Sequence, residues 1–115
     1  MVMVKITDYT AQINDIYHVL GLQEPLSKKF IAKALDLIVV FDKKQSDYGN
    51  RNIGDFGREG LVVRLNDKVQ RLRNLIWGKK NAANEATKDT WLDIAGYGII
   101  GGIVEDGDWP GASPS

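Results

Sequence analysis

The chain contains no cysteine and a single histidine, His18. Without cysteine there is no disulfide, no thiolate metal site and no sulfur nucleophile, and the composition fits a reducing cytoplasm. One histidine rules out a multi-histidine metal centre and leaves no surplus for a Ser-His-Asp set; His18 is more readily structural or exposed than catalytic. Any metal would therefore be held by oxygen ligands, which favours Mg²⁺ or Mn²⁺. An excess of positive charge is also missing: 15 basic and 15 acidic residues cancel, so a nucleic-acid partner is not expected. The longest apolar run, Ile94 to Val104, has 11 residues, four of them glycine. A membrane span needs about 20. Residues Met1 to Asp8 lack the charged and apolar regions of a signal peptide. Glycines crowd positions 49 to 60, yet neither GxxxxGK[ST] nor GxGxxG occurs, which disfavours a P-loop or dinucleotide fold. These absences leave a cytoplasmic, membrane-free protein whose 115 residues suffice for one domain with its own core.

What is present reads as helix. A first helix runs from Asp8 or Thr10 to Leu20, with Gly21 at the stop position. Pro25 and Ser27 open a second, Ser27 as N-cap, reaching about Lys44 with Phe30, Ala34, Leu37, Ile38 and Phe41 on one face. The stretch Asp47-Tyr48-Gly49-Asn50-Arg51-Asn52 carries turn formers and reads as a loop. A third helix spans Arg58 to Trp77 around a seam of Val62, Leu65, Val69, Leu72 and Ile76, closed by Gly78. A polar loop, Lys79 to Asn84, leads to a fourth helix ending near Gly107, and the tail Asp108 to Ser115 is expected to fray. Val2, Val4 and Ile6 alternate like a strand but find no second alternating run. The fold class predicted is all-α, a small bundle of four main helices. A single domain covers residues 1–107 and a flexible tail 108–115. Gly98 and Gly102, four apart, each cost about 1 kcal/mol against alanine in a helix, which close packing by another helix would offset.

The chemistry concentrates in Glu85, Asp89 and Asp93. Four-residue spacing sets these carboxylates on one helix stripe, each about 40° further round. Like charges so placed repel by roughly 0.2–0.5 kcal/mol per pair, which a divalent cation would relieve. Ile100 and Val104 lie within roughly 20° of the Asp93 direction, so the stripe runs on into apolar positions and Asp89 and Asp93 are placed near the floor of a cleft. For Glu85 and Asp89 the helix dipole offers a simpler reason, since both lie near the helix start. On the third helix Asp67 and Arg71 have the spacing of a solvated ion pair, and a metal role for Asp67 needs a second packing surface there. Lys43, Lys44, Lys79 and Lys80 suit solvated surface as they stand. The Asp47–Asn52 segment suits base and phosphate recognition as well as an ordinary turn.

Lys44-x-x-Asp47-Tyr48-Gly49, Phe56-Gly57, Arg64-x-x-Asp67-Lys68-x-x-Arg71-Leu72 and Asn84-Glu85-x-x-x-Asp89-x-x-x-Asp93-x-x-x-Tyr97 occur in order. As a set, over roughly residues 40 to 100, they resemble the nucleotide-modification-associated domain family of bacteriophages and prophages. Residues 1 to 40 carry no such motif. The acidic helices are also similar to those of all-α, MazG-like nucleoside triphosphate pyrophosphatases, which hold Mg²⁺ between two helices and act as oligomers. The chain departs from those enzymes in lacking Glu-Glu-x-x-Glu on its third helix, where it offers only Asp67 and a distant Glu59. The resemblance implies Mg²⁺ (or Mn²⁺) held by Glu85, Asp89, Asp93 and Asp67, with Asp67, Asp89 and Asp93 catalytic. It implies a nucleotide contacted by Lys44, Asp47, Tyr48, Arg51, Arg64, Lys68, Arg71, Trp91 and Tyr97. Expected functions are hydrolysis of an NTP or dNTP to monophosphate and pyrophosphate, or nucleotide binding without turnover that sequesters a signalling nucleotide or assists base modification. A homo-oligomer in the host-cell cytoplasm is expected in either case.

Overall fold

A computed structural model describes residues 8–78 and 83–112. They form five helices: α1 (Thr10–Val19), α2 (Leu26–Tyr48), α3 (Arg51–Gly54), α4 (Gly57–Trp77) and α5 (Ala83–Glu105). Among the described residues there is no strand, so the fold is all-α as expected. The Val2–Val4–Ile6 alternation and the Lys79–Lys80 turn lie outside the described residues. None of the described helices is long and apolar enough to cross a membrane.

Packing divides the chain into two compact units, Met1–Val40 and Phe41–Ser115. In the first unit, α1 stops as its sequence dictates. Gly21 takes φ +65°, a conformation that side-chain-bearing residues resist. This lets the Leu22 and Gly21 N–H groups donate to the Tyr17 and His18 carbonyls. Asp8 accepts from the Thr10 N–H at 2.9 Å, capping α1 at the other end. The Lys28 ammonium lies 4.8 Å from the centre of the Tyr17 ring. α2 begins one residue before Ser27, which therefore sits in the first turn and is not the cap. Its buried positions are Ile31 and Leu37, whereas Phe30 (79 % exposed) and Ile38 lie outside the stripe expected for them.

The second unit holds the end of α2, then α3, α4 and α5. Its core is Ile53, Leu61, Ile100, Val104 and Trp109, with Phe41, Tyr97 and Ile103 packed against it. Val104 is 0 % exposed, so the apolar end of α5 is buried here, not in lipid. Two expectations need correction. Asp47 and Tyr48 are the last two residues of α2, and Arg51 and Asn52 are the first two of α3, so the stretch read as a loop is largely helical. A buried α3 face, Ile53 and Gly54, packs down where turn chemistry alone indicated an exposed connection. Residues 108–112 are not frayed: Trp109 is 4 % exposed and its indole N–H donates to the Asn50 carbonyl at 2.9 Å. The ring also meets Phe41 edge-on, centroids 6.0 Å apart. This strap presses close to α3, since a Cβ on Gly54 would stand 2.7 Å from the Pro110 carbonyl oxygen.

Along α4 the buried side runs through Leu61 and Leu72, with Leu65, Lys68 and Leu75 half-buried between and beyond them. Val62, Val69 and Ile76, three of the five residues of the expected seam, stay exposed. Gly98 and Gly102 face open space among the described residues, so no helix approaches them as their spacing had suggested.

Candidate functional site

The inward stripe of α5 reads Thr90, Asp93, Tyr97, Ile100, Val104, advancing by three and four residues as a helix seam does. That of α4 reads Leu61, Leu65, Lys68, Leu72, Leu75 with the same steps. Each seam thus carries one charged residue among uncharged ones, and the two charges are opposite. They meet: Lys68 Nζ lies 2.9 Å from Asp93 Oδ2. The other carboxylate oxygen, Oδ1, accepts from Lys44 Nζ of α2, also at 2.9 Å. Three helices therefore converge on one carboxylate, 20 % exposed, with the Lys68 and Lys44 side chains 30 % and 53 % exposed. Partial burial pushes the Asp93 carboxyl up, but the hydrogen bonds and positive charges of Lys44 and Lys68 outweigh it and hold it below 3.8. Each ammonium has three N–H donors and spends one on Asp93, which leaves donors for another anion.

Three nearby arginines are committed elsewhere. Arg64 donates from Nη2 to the backbone oxygen and Oδ1 of Asn52, at 3.0 and 2.9 Å, pinning α3 to α4. Arg51 pairs with Asp55 at 3.6 Å on α3, and Arg58 with Glu105 at 3.0 Å across α4 and α5. Asp47 and Tyr48 are exposed, with Tyr48 one turn beyond Lys44 on α2 and so on the same side of that helix. Tyr97 is half-buried against the core, one turn from Asp93.

Only part of the acid stripe lies deep. Asp93 is half-buried, while Asp89 and Glu85 are exposed, and the position that turns inward beside them is Thr90. Its hydroxyl donates to the Ala86 carbonyl at 2.6 Å. Trp91 is exposed and lies about 160° around α5 from Asp93, away from the lysines. Asp67 and Arg71 share a groove on α4 but do not close to ion-pair distance. Among the described residues no three His, Cys, Asp or Glu side chains converge on a common point. Both Asp93 oxygens already face ammonium groups. At Asp93 the negative charge is balanced by lysines from other helices, which the spacing of acids along α5 could not disclose. Sequence reading overlooked Trp109; an aromatic beside Pro110 in a short tail carries no periodic signal.

The fold and site together define an all-α protein in which a lysine pair is held between helices by a shared carboxylate. Residues 44–104, more than half of the chain, match the family described as Nucleotide modification associated domain 1, and the chain belongs to that family. The match begins at Lys44 and contains Lys68 and Asp93. No curated protein and no solved structure matches the chain.

Proposed function

We propose that this protein binds the phosphate groups of a nucleotide through Lys44 and Lys68, as a binding component of nucleotide modification. The carrying observation is the Lys44–Asp93–Lys68 cluster, drawn from three helices and lying wholly within the matched region. Asp93 keeps two ammonium groups side by side, lowering their mutual repulsion and the entropy lost when they close on an anion. Charge-assisted hydrogen bonds to a phosphate are worth about 1.5–3 kcal/mol each. Tyr48, on the Lys44 side of α2, offers a ring on which a base can stack. Hydrolysis would ask in addition for a carboxylate set free to hold Mg²⁺, and Asp93 is engaged with lysines, so binding is the better supported of the two activities.

The test is calorimetric titration with inorganic tripolyphosphate and the four common and several base-modified dNTPs, in EDTA. Binding that falls at least tenfold in Lys68→Met, with the helical spectrum retained, supports the reading. No binding of any of these at millimolar concentration refutes it, and release of pyrophosphate on adding Mg²⁺ would replace it with hydrolysis.

A further inference from the structure

Beside the lysine pair, α4 carries a groove of about 390 Å³ lined by Asp67, Gln70, Arg71, Asn74 and Leu75. The volume falls within the roughly 300–1,000 Å³ of small-molecule sites. On the helix wheel Arg71 lies about 60° from Lys68, Asp67 about 100° and Asn74 about 120° in the same direction, so the groove borders the lysine face. Asp67 and Arg71 stand one turn apart, the spacing at which opposite charges usually close into a pair. Here they do not: the ion pairs formed among the described residues involve Asp93, Asp55 and Glu105 only. Two complementary charged groups, both exposed, therefore flank a polar groove with their hydrogen-bonding capacity uncommitted to each other.

We infer that this groove reads the base of the nucleotide and is built for guanine; the inference rests on phosphate binding by the neighbouring lysines. A carboxylate only accepts hydrogen bonds and a guanidinium only donates them. A ligand lying between the two is selected for donors on one edge and acceptors on the next. Guanine offers this pattern, with N1–H and the N2 amino group toward Asp67 and O6 and N7 toward Arg71, the latter a standard bidentate match. Thymine and uracil carry one imide N–H between two carbonyls, and one of those carbonyls would face the Asp67 carboxylate. Adenine and cytosine each present a single amino donor, so neither gives Asp67 the paired donors that guanine supplies from N1 and N2. Gln70 and Asn74, whose amides both donate and accept, complete the polar wall, and Leu75 supplies an apolar floor.

The experiment compares dGTP, dATP, dCTP, dTTP and inorganic tripolyphosphate by titration at one fixed salt concentration, on the wild-type chain and on Asp67→Asn. One good bidentate contact discriminates by about 1–3 kcal/mol, so dGTP should bind at least about fivefold more tightly than dTTP. Asp67→Asn should bring that ratio to within about threefold of unity while tripolyphosphate binds as before. Asp67 is exposed on a long helix, so the variant is expected to fold; Asn74→Ala, read in the same way, should also shrink the preference. Equal affinity for the four nucleotides, preference for another base, or an unchanged ratio in Asp67→Asn would overturn the groove assignment. If tripolyphosphate still binds through Lys68 in those cases, the phosphate site survives; if neither it nor any nucleotide binds, both fall.

Discussion

Replacing Trp109 should destabilise the protein more than any other change in its last eight residues. The ring is 4 % exposed and meets Phe41 edge-on at 6.0 Å, and its N–H is hydrogen-bonded to the Asn50 carbonyl. Removing a buried Trp or Phe ring costs about 3–5 kcal/mol, a large share of the roughly 5–15 kcal/mol that holds a domain folded. Trp109→Phe keeps most of the packing but loses the N–H and some volume, and should cost about 1–3 kcal/mol. At about 4 °C per kcal/mol for a chain of this length, melting should fall by roughly 12–20 °C in Trp109→Ala and 4–12 °C in Trp109→Phe. Thermal unfolding followed by circular dichroism reads both shifts. Acrylamide quenching gives an independent check, because Trp77 and Trp91 are 70 % and 56 % exposed and only Trp109 is shielded. Wild-type fluorescence should contain one protected component that Trp109→Phe removes. A melting loss under 4 °C in Trp109→Ala, or uniform quenching of all three rings in the wild type, would refute the strap.

Other outcomes follow from the same geometry. Asp93→Asn leaves two lysines facing each other without a counter-charge and should cost about 1–3 kcal/mol in denaturant unfolding, whereas Asp89→Asn, exposed, should stay within about 0.5 kcal/mol. Because the folded Asp93 carboxyl lies below 3.8, its contribution to stability is present above that value and lost as pH falls through it. Unfolding free energy measured from pH 7 to pH 3 should show this acid loss, and Asp93→Asn should flatten it. Gly54→Ala sets a Cβ against the Pro110 carbonyl and should destabilise by about 1–3 kcal/mol. By contrast Gly98→Ala and Gly102→Ala should each stabilise by about 0.5–1 kcal/mol, since a Cβ meets open space; a loss of stability in either would mean that another surface packs there.

The long helices were legible in the sequence because each carries its own signal. Gly21 terminates α1 where its spacing placed the stop, and the apolar run 94–104 supplied the buried end of α5. The segment 47–52 was misread because turn formers such as Asn50 and Gly49 also end one helix and begin another. A four-residue α3 has too few residues to show a period. Seam assignments on α2 and α4 went partly astray because apolar residues there exceed what one face can bury. Phe30 and Val62 fit a periodic stripe as well as Ile31 and Leu61 do, and packing alone chose between them. The candidate site was half legible: Lys44, Lys68 and Asp93 were singled out, but spacing along one helix reports only neighbours on that helix.

By itself, then, the amino-acid sequence determined an all-α chain without a thiol or a histidine cluster, with no apolar run long enough to span a bilayer, and an acidic residue set among the inward positions of α5. These are properties of composition and local period, written within a few turns of chain. Tertiary structure alone decided the partner of that acid. Lys44 stands 49 residues from Asp93 in sequence, and only the packing of α2, α4 and α5 sets two ammonium groups against its two oxygens. In the stripe of carboxylates that spacing offered as a cation site, one carboxylate faces two lysines brought from other helices. A charge's meaning depends on what lies opposite, and what lies opposite is fixed by the fold.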